Sequence, residues 1–471
     1  MHYKGEWWIE GFEENKITGE LSLNRKKISD SYLSIAKEFQ TNQTGHDYPP
    51  KEEDQLFYPK TIYGNIPQVG NVSLYGCFLT GHPKYYNSLY NVYSFQQIAL
   101  GIICNNIDEI KVKSICCKMN GINTWYPKSF FRYKGLGSKT FTLEQCIPNS
   151  QILISEINSV KIKIYLVLSS RRNMRKQSKK SISIKYAVLF ESEKETSFHE
   201  LFFYIRYSKY LFSILIGSPL KSGKYQSKDE SGINSRKDIQ FYLTEINNSG
   251  RKFSILEIFN TYNEDMIDIY INKYFELIRI TEMNAVVLNI IEILNTTNKF
   301  TQEVFILILK TIELIFEYKY NQKFTYLDNE DFLEFTSNFK DFLDRLQLSN
   351  HHDSKYKEVF NKKIININQY SLRSKLEFFF KNINSSFLSN GIIKNVKKYS
   401  NKISERRNKM THSFVEFDKS EAEDMYHDIG VLEITVLLFI YKELGIDINN
   451  PILTERIEQY YFSHYYNSFI I

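Results

Sequence analysis

The chain has 471 residues, enough for two or three domains, and its formal net charge of +6 permits an anionic partner without requiring one. Its five cysteines form no C-x-x-C motif and its histidines no zinc-ligand spacing, so neither a disulfide scaffold nor a metal or cofactor is expected. With an odd number of cysteines and no signal peptide at Met1-His2-Tyr3-Lys4-Gly5, we expect a cytoplasmic protein. The most apolar run, residues 429–441, is interrupted by Glu433 and is shorter than the roughly 20 residues of a membrane span.

The N-terminal half, residues 1–255, alternates apolar and polar residues between turns, which predicts a β-rich domain. The predicted strands are residues 5–9, 17–23, 61–64, 72–77, 114–125, 151–157, 160–168, 181–190 and 241–246. One helix, residues 198–215, is predicted to end at Gly217, and the polar residues 221–237 are predicted to form a loop. The three tryptophans, Trp7, Trp8 and Trp125, are expected to pack in the core.

A basic segment, residues 171–180, joins the two clearest strands of this half, and six of its ten residues are Lys or Arg. Arg171, Arg172 and Arg175 are therefore candidate RNA-binding residues, which would contact phosphates without reading sequence. The alternative is a solvated hairpin tip without a ligand, and we favour this alternative.

The C-terminal half, residues 256–471, changes to a helical period, so the fold class is α+β, with an all-α bundle after the β-rich domain. The predicted helices are residues 266–294, 301–318, 332–346, 371–380, 392–409 and 425–444. Asn329 and Ser371 are predicted N-caps. A capping box from Ser420 to Glu423 is predicted to open the last of these helices, and Gly445 to end it.

Within this half, residues 405–412 read Glu-Arg-Arg-Asn-Lys-Met-Thr-His in a helical context. Asn408 and His412 are four residues apart, which places them on one helix face, and the long side chain of Arg407 can reach the same region. A fixed cation, a titratable ring and an amide that orients the ring suit the cleavage of a phosphodiester. Arg407, Asn408 and His412 are the candidate catalytic residues.

RNA supplies its own nucleophile, the 2′-hydroxyl, so this chemistry needs no metal ion. His412 would act as general acid or base, and Arg407 would stabilise the negative charge on the phosphorane oxygens. Arg406 and Lys409 are candidate RNA-binding residues, although Arg406 would more commonly be a solvated helix cation. Glu405 would either raise the pKa of the histidine or pair with a nearby cation.

Two other interpretations of charged residues remain open. Arg407 and His412 would also fit a buried or helix-capping polar pair without catalysis. A second arginine–histidine spacing, Arg345 with His351 and His352, falls in an apparent loop and is expected to be ordinary surface.

The pattern Arg407-Asn408-x₃-His412 resembles the signature of the HEPN ribonucleases. Residues 7–8, 17–23, 64–77 and 115–125 are similar in order and spacing to the N-terminal domain of ApeA-like HEPN proteins. Two further stretches, residues 309–313 and 371–376, resemble helices of the same family. The resemblance covers most of the chain, and the basic segment 171–180 has no counterpart in it.

This resemblance implies an anti-phage abortive-infection effector that cleaves host RNA, with tRNA as the expected target and 2′,3′-cyclic phosphate ends as the product. It also implies a homodimer or higher oligomer through the HEPN domain, with two motifs facing one cleft. Residues 1–255 would sense a phage-derived trigger, residues 256–471 would cut RNA, and Glu313 would help position the motif. The alternatives are a HEPN module that binds RNA or protein without cutting, and an antitoxin-like scaffold.

Overall fold

The structure, a computed structural model, describes most of the chain. It describes residues 1–25, 27–37, 39, 61–81, 90–126, 131–134, 142–145, 151–172, 180–227, 239–243, 259–261, 263–296, 301–320, 327, 329–345, 358–359, 370–383, 385–412 and 418–466. Contacts divide the chain into two units, one of residues 1–255 with 260–272 and one of residues 256–259 with 273–471.

The first unit is built on β-strands. They are β1 His2–Ile9, β2 Ile17–Ser22, β3 Tyr32–Ile35, β4 Thr61–Ile66, β5 Gly70–Tyr75, β6 Phe78–Gly81, β7 Asn91–Ser94, β8 Gln97–Leu100, β9 Lys111–Met119, β10 Phe131–Lys134, β11 Thr142–Gln145, β12 Gln151–Ile157, β13 Val160–Arg172, β14 Lys180–Ser197, β15 Ser222–Ser227 and β16 Ile239–Leu243. Fourteen of these described strands form one antiparallel sheet with the order β12-β13-β14-β9-β15-β16-β8-β5-β4-β1-β2-β3-β7-β6, and β10 and β11 pair separately. The β-rich prediction is confirmed.

The tryptophans lie in the core of this unit as predicted, with Trp7 fully buried. The indole of Trp7 lies directly over Gly64 on the neighbouring strand, where a Cβ atom would come within 2.3 Å of the ring. The pairing of β1 with β4 brings these two residues opposite each other. A glycine is needed here because any side chain would displace the ring from its packed position.

Two predictions for this unit are wrong. Residues 222–227, expected in a loop, form β15, because this polar stretch pairs with β9 and β16 and buries Tyr225. The predicted strand 114–125 ends at Met119, and a short helix, α1 (Ile122–Trp125), follows Gly121, whose φ is 91°. A positive φ at Gly121 reverses the chain direction, which the apolar pattern alone does not indicate.

Helices make up the second unit, in whose described residues no strand occurs. Helix α2 (Phe198–Ile216) belongs to the first unit, and α3 (Ile267–Leu277) crosses the division. The α-helices that follow in the second unit are α4 Thr281–Asn295, α5 Gln302–Tyr320, α6 Asn329–Arg345, α7 Leu372–Ile383, α8 Val396–His412, α9 Lys419–Leu444 and α10 Pro451–Tyr461. Helix α2 ends at Gly217 as predicted, with φ of 74°. The described helices include none that is long and apolar enough to cross a membrane.

Two details of the helical prediction need correction. The single helix predicted at residues 266–294 is two helices, because the backbone of Ile280 is extended between them. The N-cap of α9 is Asp418, whose Oδ1 accepts a hydrogen bond from the Glu421 amide at 2.8 Å, and not Ser420. Asp and Ser cap equally well, so geometry decides between them.

Two predicted helix ends are confirmed. Gly445 ends α9 with φ of 84°, and Ser371 caps α7, where its Oγ accepts a bond from the Ser374 amide. Helix α9 is buried at every position from Asp428 to Tyr441, so it forms the core of the bundle.

The Glu433 carboxylate is buried in the middle of α9 and is held there by two tyrosines. It accepts hydrogen bonds from Tyr465 at 2.6 Å and from Tyr460 at 3.3 Å. Gly430 leaves the space for the ring of Tyr465, since a Cβ atom there would lie 2.5 Å from it. These hydrogen bonds explain why a charged residue interrupts the most apolar run of the chain.

Candidate active site

The candidate motif lies at the C-terminal end of α8. Asn395 begins this helix, where its Oδ1 accepts a hydrogen bond from the Lys398 amide at 3.0 Å. Ser400 and Ile403 are fully buried and anchor one side of α8 against the bundle. The helix continues to His412, three residues beyond its predicted end, so the whole motif is helical.

Arg407 and Asn408 lie in the last two turns of α8. The Arg407 side chain is half-buried, Asn408 is exposed, and among the described residues the Arg407 guanidinium has no ion pair or hydrogen bond. Because the helix is continuous, Asn408 and His412 are i,i+4 neighbours as predicted. The imidazole of His412 lies outside the described part of the structure.

Arg406 has a different environment from its neighbour. Its Nη2 lies 2.9 Å from Oδ2 of Asp424, its Nη1 pairs with Oδ2 of Asp428, and its side chain is only 11% exposed. The interpretation as a solvated helix cation is therefore wrong. Both sides of its guanidinium fork are bound to carboxylates in this structure, and the assignment of Arg406 to RNA phosphate stays a prediction.

Lys402, one turn earlier on α8, completes this group of charges. Its Nζ lies 2.8 Å from Oδ2 of Asp424 and 3.2 Å from Oδ1 of Asp428. The two cations are spaced i,i+4 on α8 and the two carboxylates i,i+4 on α9, so each cation can contact both carboxylates. This group, here called the ion-pair cluster, consists of Lys402, Arg406, Asp424 and Asp428.

Burial makes the ion-pair cluster structurally important. Asp428 is almost fully buried, and a buried carboxylate is tolerated only when it is paired and hydrogen-bonded. Both of its oxygens have a cation partner. The cluster therefore fixes the register between α8 and α9, and with it the position of the adjacent Arg407.

The pKa values in this region follow from burial and charge. Burial acts to raise the pKa of Asp424, but hydrogen bonds from Lys402 and Arg406 outweigh it and lower the pKa of that carboxyl. Burial lowers the pKa of Lys402 despite its carboxylate partner, and burial also lowers the pKa of His427. The Tyr399 hydroxyl, which is buried beside the cluster, has its pKa raised well above the usual value.

The remaining residues of the motif region are on the surface. Lys409 is exposed, and its Nζ lies 3.9 Å from the Glu421 carboxylate. Glu405 accepts a hydrogen bond from Asn401 at 2.6 Å, which the sequence interpretation did not anticipate. Glu313, which lies elsewhere, on α5, is half-buried, and among the described residues its side chain has no hydrogen bond or ion pair with α8.

The described ends of the basic segment in the first unit, Arg171, Arg172 and Lys180, belong to the paired strands β13 and β14. Arg171 and Arg172 pair in the backbone with Ser181 and Lys180 at the end of β13 and β14. Arg175 lies outside the described residues, as do His351 and His352 of the second arginine–histidine spacing. Arg345 is the last residue of α6 and is exposed.

Sequence interpretation missed three members of the ion-pair cluster, Lys402, Asp424 and Asp428. A signal was present, because Lys402 and Arg406 are spaced i,i+4 on one helix and Asp424 and Asp428 are spaced i,i+4 on the next. Each pair therefore lies on one helix face, where the opposite charges of the other helix can meet it. In the described residues, no group of three or more His, Cys, Asp or Glu side chains could hold a metal ion.

Comparison with protein families identifies both halves of the chain. Residues 2–272 match the ApeA N-terminal domain 1, and residues 253–449 match the Apea-like HEPN domain. Neither a curated protein nor a solved structure matches the chain. The two matches together span residues 2–449 and meet within 253–272, where the contacts also divide the chain. The chain therefore belongs to the ApeA-like HEPN family.

Proposed function

We propose that this protein is an anti-phage effector that cleaves host RNA without a metal ion, with tRNA as the expected target. HEPN domains are generally ribonuclease domains, and the ApeA-like family suggests a role in defence. The observation that carries the proposal is the position of Arg407 and Asn408 near the end of α8. This helix is anchored by the ion-pair cluster, while the Arg407 guanidinium has no carboxylate partner among the described residues.

Cleavage would proceed through the RNA's own 2′-hydroxyl. A base removes its proton, the oxygen attacks the adjacent phosphorus, and an acid protonates the departing 5′-oxygen. The products are a 2′,3′-cyclic phosphate and a 5′-hydroxyl. In this reaction His412 acts as the base or the acid, and Arg407 binds the phosphate oxygens as negative charge develops. Asn408, one turn earlier on the helix, orients His412.

One chain supplies one motif histidine, whereas the reaction uses both an acid and a base. A homodimer or higher oligomer with two motifs facing one cleft would supply both, and HEPN domains commonly dimerise and bind RNA. Lys409 would bind phosphate beside the motif. Arg171, Arg172, Arg175 and Arg406 remain proposed RNA contacts, although the guanidinium of Arg406 is paired with carboxylates in this structure.

Regulation is proposed for the N-terminal half. A nuclease that cuts host RNA must be restrained in healthy cells, so residues 1–255 would sense a phage-derived trigger and residues 256–471 would cut. If Arg407→Ala protected cells from phage as well as wild type does, the sensed trigger could not act through RNA cleavage.

The test is a plating assay with cells that express the full chain, with and without phage. Wild type is expected to protect and to produce discrete RNA fragments on a denaturing gel, and His412→Ala is expected to do neither. Thr411→Ala is the matched control, because Thr411 is the exposed neighbour in the same turn. Purified protein should cut the same RNA in the presence of EDTA.

The binding module makes a different prediction, and the presence of only one motif histidine per chain favours it. Binding needs no acid–base pair, so an Arg407→Ala/His412→Ala double variant that is folded and still protects fully, with RNA intact, would replace the nuclease proposal with a binding role. Fragmentation of RNA by wild type alone would exclude that role.

A further inference from the structure

Helix α2 carries a row of aromatic side chains on the surface of the first unit. Its inner side is buried, with Leu201 and Ile205 almost completely removed from solvent. On its outer side Phe203 is 42% exposed, and Tyr207 and Tyr210 are half-buried. The ring centroids of Phe203 and Tyr207 are 4.6 Å apart, and those of Tyr207 and Tyr210 are 5.7 Å apart. A contiguous apolar patch on a protein surface indicates an interaction site.

An exposed arginine, Arg206, lies within this row of rings. Counted from Phe203, the residues Arg206, Tyr207 and Tyr210 are three, four and seven positions further along α2, so the four side chains share one side of the helix. This set, here called the α2 stripe, spans about two turns, or about 10 Å. It is long enough to contact a short segment of another molecule.

The guanidinium of Arg206 is held in a fixed direction. Its Nε donates a hydrogen bond to the Tyr210 hydroxyl at 2.8 Å, and its Cζ lies 5.6 Å from the centroid of the same ring. Among the described residues Arg206 has no carboxylate partner, and its two Nη groups donate no hydrogen bond. Because Nε is already bonded, the two Nη groups form a positioned fork that matches the paired oxygens of an anion.

The charges of α2 favour a partner with a negative charge at this fork. The helix contains two cations, Arg206 and Lys209, and a single acidic residue, Glu200. Glu200 lies at the start of the helix, where its carboxylate accepts a hydrogen bond from Thr196 and is distant from the fork by more than one turn. A carboxylate of a partner would therefore pair with Arg206 without repulsion from α2.

The geometry of the α2 stripe favours a protein over the other anionic partners. Single-stranded nucleic acid stacks its successive bases on open ring faces. The planes of Phe203 and Tyr207 are inclined by 47°, those of Tyr207 and Tyr210 by 78°, and Arg206 lies over the Tyr210 ring. Anionic membranes are bound by clusters of about four to eight cations, and α2 has two. Aromatic residues beside an arginine are typical of the centre of protein–protein interfaces.

We propose that the α2 stripe binds a protein partner through a segment in which an acidic residue lies next to apolar side chains. The carboxylate of the partner accepts two hydrogen bonds from the Nη groups of Arg206, and its apolar side chains cover Phe203 and Tyr207. This proposal rests on the sensing role proposed for residues 1–255 and deepens it, because it gives the sensed partner a chemical class and a binding surface.

The first test is a selection from random peptides of about 12 residues bound to beads, a length that covers the α2 stripe in helical or extended form. The labelled full chain is the probe, and beads that bind wild type but not Arg206→Glu are collected. The selected peptides are expected to carry Asp or Glu next to large apolar residues.

Selected peptides are then measured one at a time by fluorescence anisotropy. Phe203→Ala and Arg206→Glu should each weaken binding at least about 10-fold, as expected for the central residues of a contact. Phe78→Ala is the matched control for the ring, because Phe78 is 44% exposed on β6. Lys4→Glu is the matched control for the charge, because Lys4 is exposed on β1. Both controls should bind as wild type does.

An exchange of charges separates loss of the contact from loss of the fold. A selected peptide whose acidic residue is replaced by Arg should fail to bind wild type and should bind Arg206→Glu, since the two charges are then exchanged. None of these measurements uses RNA cleavage. Failure of peptide binding therefore leaves the nuclease proposal standing, and failure of the nuclease proposal leaves peptide binding unchanged.

Four results would overturn the proposal. The absence of acidic peptides that distinguish wild type from Arg206→Glu excludes such a partner at the α2 stripe. Peptides that bind Phe203→Ala and Arg206→Glu as tightly as wild type use another surface. A labelled oligo(dT) strand that binds wild type and is weakened by both substitutions would make the stripe a nucleic-acid surface. Sedimentation that shows self-association of wild type, abolished in Arg206→Glu, would make the stripe a contact between copies.

Discussion

Two flanks of helix α8 carry adjacent arginines with opposite surroundings. Arg406 is 11% exposed and is bound by two carboxylates of α9, whereas Arg407 is half-buried and has no ion pair among the described residues. The two side chains point about 100° apart because that is the turn of a helix between successive residues. Identical chemistry one residue apart therefore serves two purposes, attachment of the helix and presentation of a cation.

The difference between the flanks also separates stability from activity. Removal of a cation that neutralises a buried carboxylate leaves that carboxylate uncompensated, which destabilises the fold. Removal of a cation without a partner costs little stability, but it removes charge where a phosphate would bind. Variants of the two flanks should therefore fail in different assays.

The largest expected effect is that of Arg407→Ala on RNA cleavage. Loss of a group that stabilises transition-state charge lowers the rate about 100- to 1,000-fold. The free energy of unfolding should change by less than about 0.5 kcal/mol, as for most substitutions away from buried contacts. Single-turnover cleavage and urea unfolding measure the two quantities. Lys398→Ala, an exposed change in the first turn of α8, is the control, and equal rate losses in both variants would contradict the assignment.

Arg406→Ala should have its main effect on stability. Without this guanidinium, Asp428 keeps only Lys402 as a cation partner, and we expect a loss of about 3 kcal/mol in urea unfolding. The matched control is Arg373→Ala, which breaks the more exposed i,i+4 pair with Glu377 and should cost about 0.5 kcal/mol. Similar losses for the two variants would mean that the ion-pair cluster is no more important than a surface pair.

The lowered pKa of Asp424 predicts a pH dependence of stability. Because the folded-state pKa lies below the ordinary value of 3.8, this carboxyl stabilises the fold fully well above pH 3.8. The contribution is lost as the pH falls below that value toward the folded-state pKa. Urea midpoints of wild type and Asp424→Asn should therefore differ at neutral pH and converge in acid. A gap that widened in acid would reverse the assigned sign.

The smallest effect is expected for Lys409→Ala, on the exposed side of α8. Its contact with Glu421 is long and exposed, so stability should change by less than about 0.5 kcal/mol. RNA affinity is measured at several salt concentrations in a His412→Ala background. If Lys409 contacts one phosphate, Lys409→Ala should make the slope of log affinity against log salt concentration shallower by about 0.7. An unchanged slope would remove Lys409 from the RNA surface.

Most of the helices and strands were predicted from local sequence patterns. Apolar alternation in residues 160–168 and 181–190 predicts the paired strands β13 and β14, and glycines mark the ends of α2 and α9. These features depend on neighbours in the chain, which a sequence displays directly. The motif at Arg407 and Asn408 was also visible in this way, because helical spacing converts sequence separation into a shared face.

Long-range contacts decided the features of the fold that local sequence patterns do not specify. The strand order places β9 between β14 and β15, a pairing between segments about 70 and 100 residues apart that no local pattern specifies. The polar stretch at Ser222 becomes a strand only because β9 and β16 pair with it. Sequence alone predicted a β-rich domain, a helical bundle and a basic helix end. Only the tertiary structure distinguished Arg406 from Arg407, because the partner carboxylates come from another helix whose packing sets which side of α8 is buried.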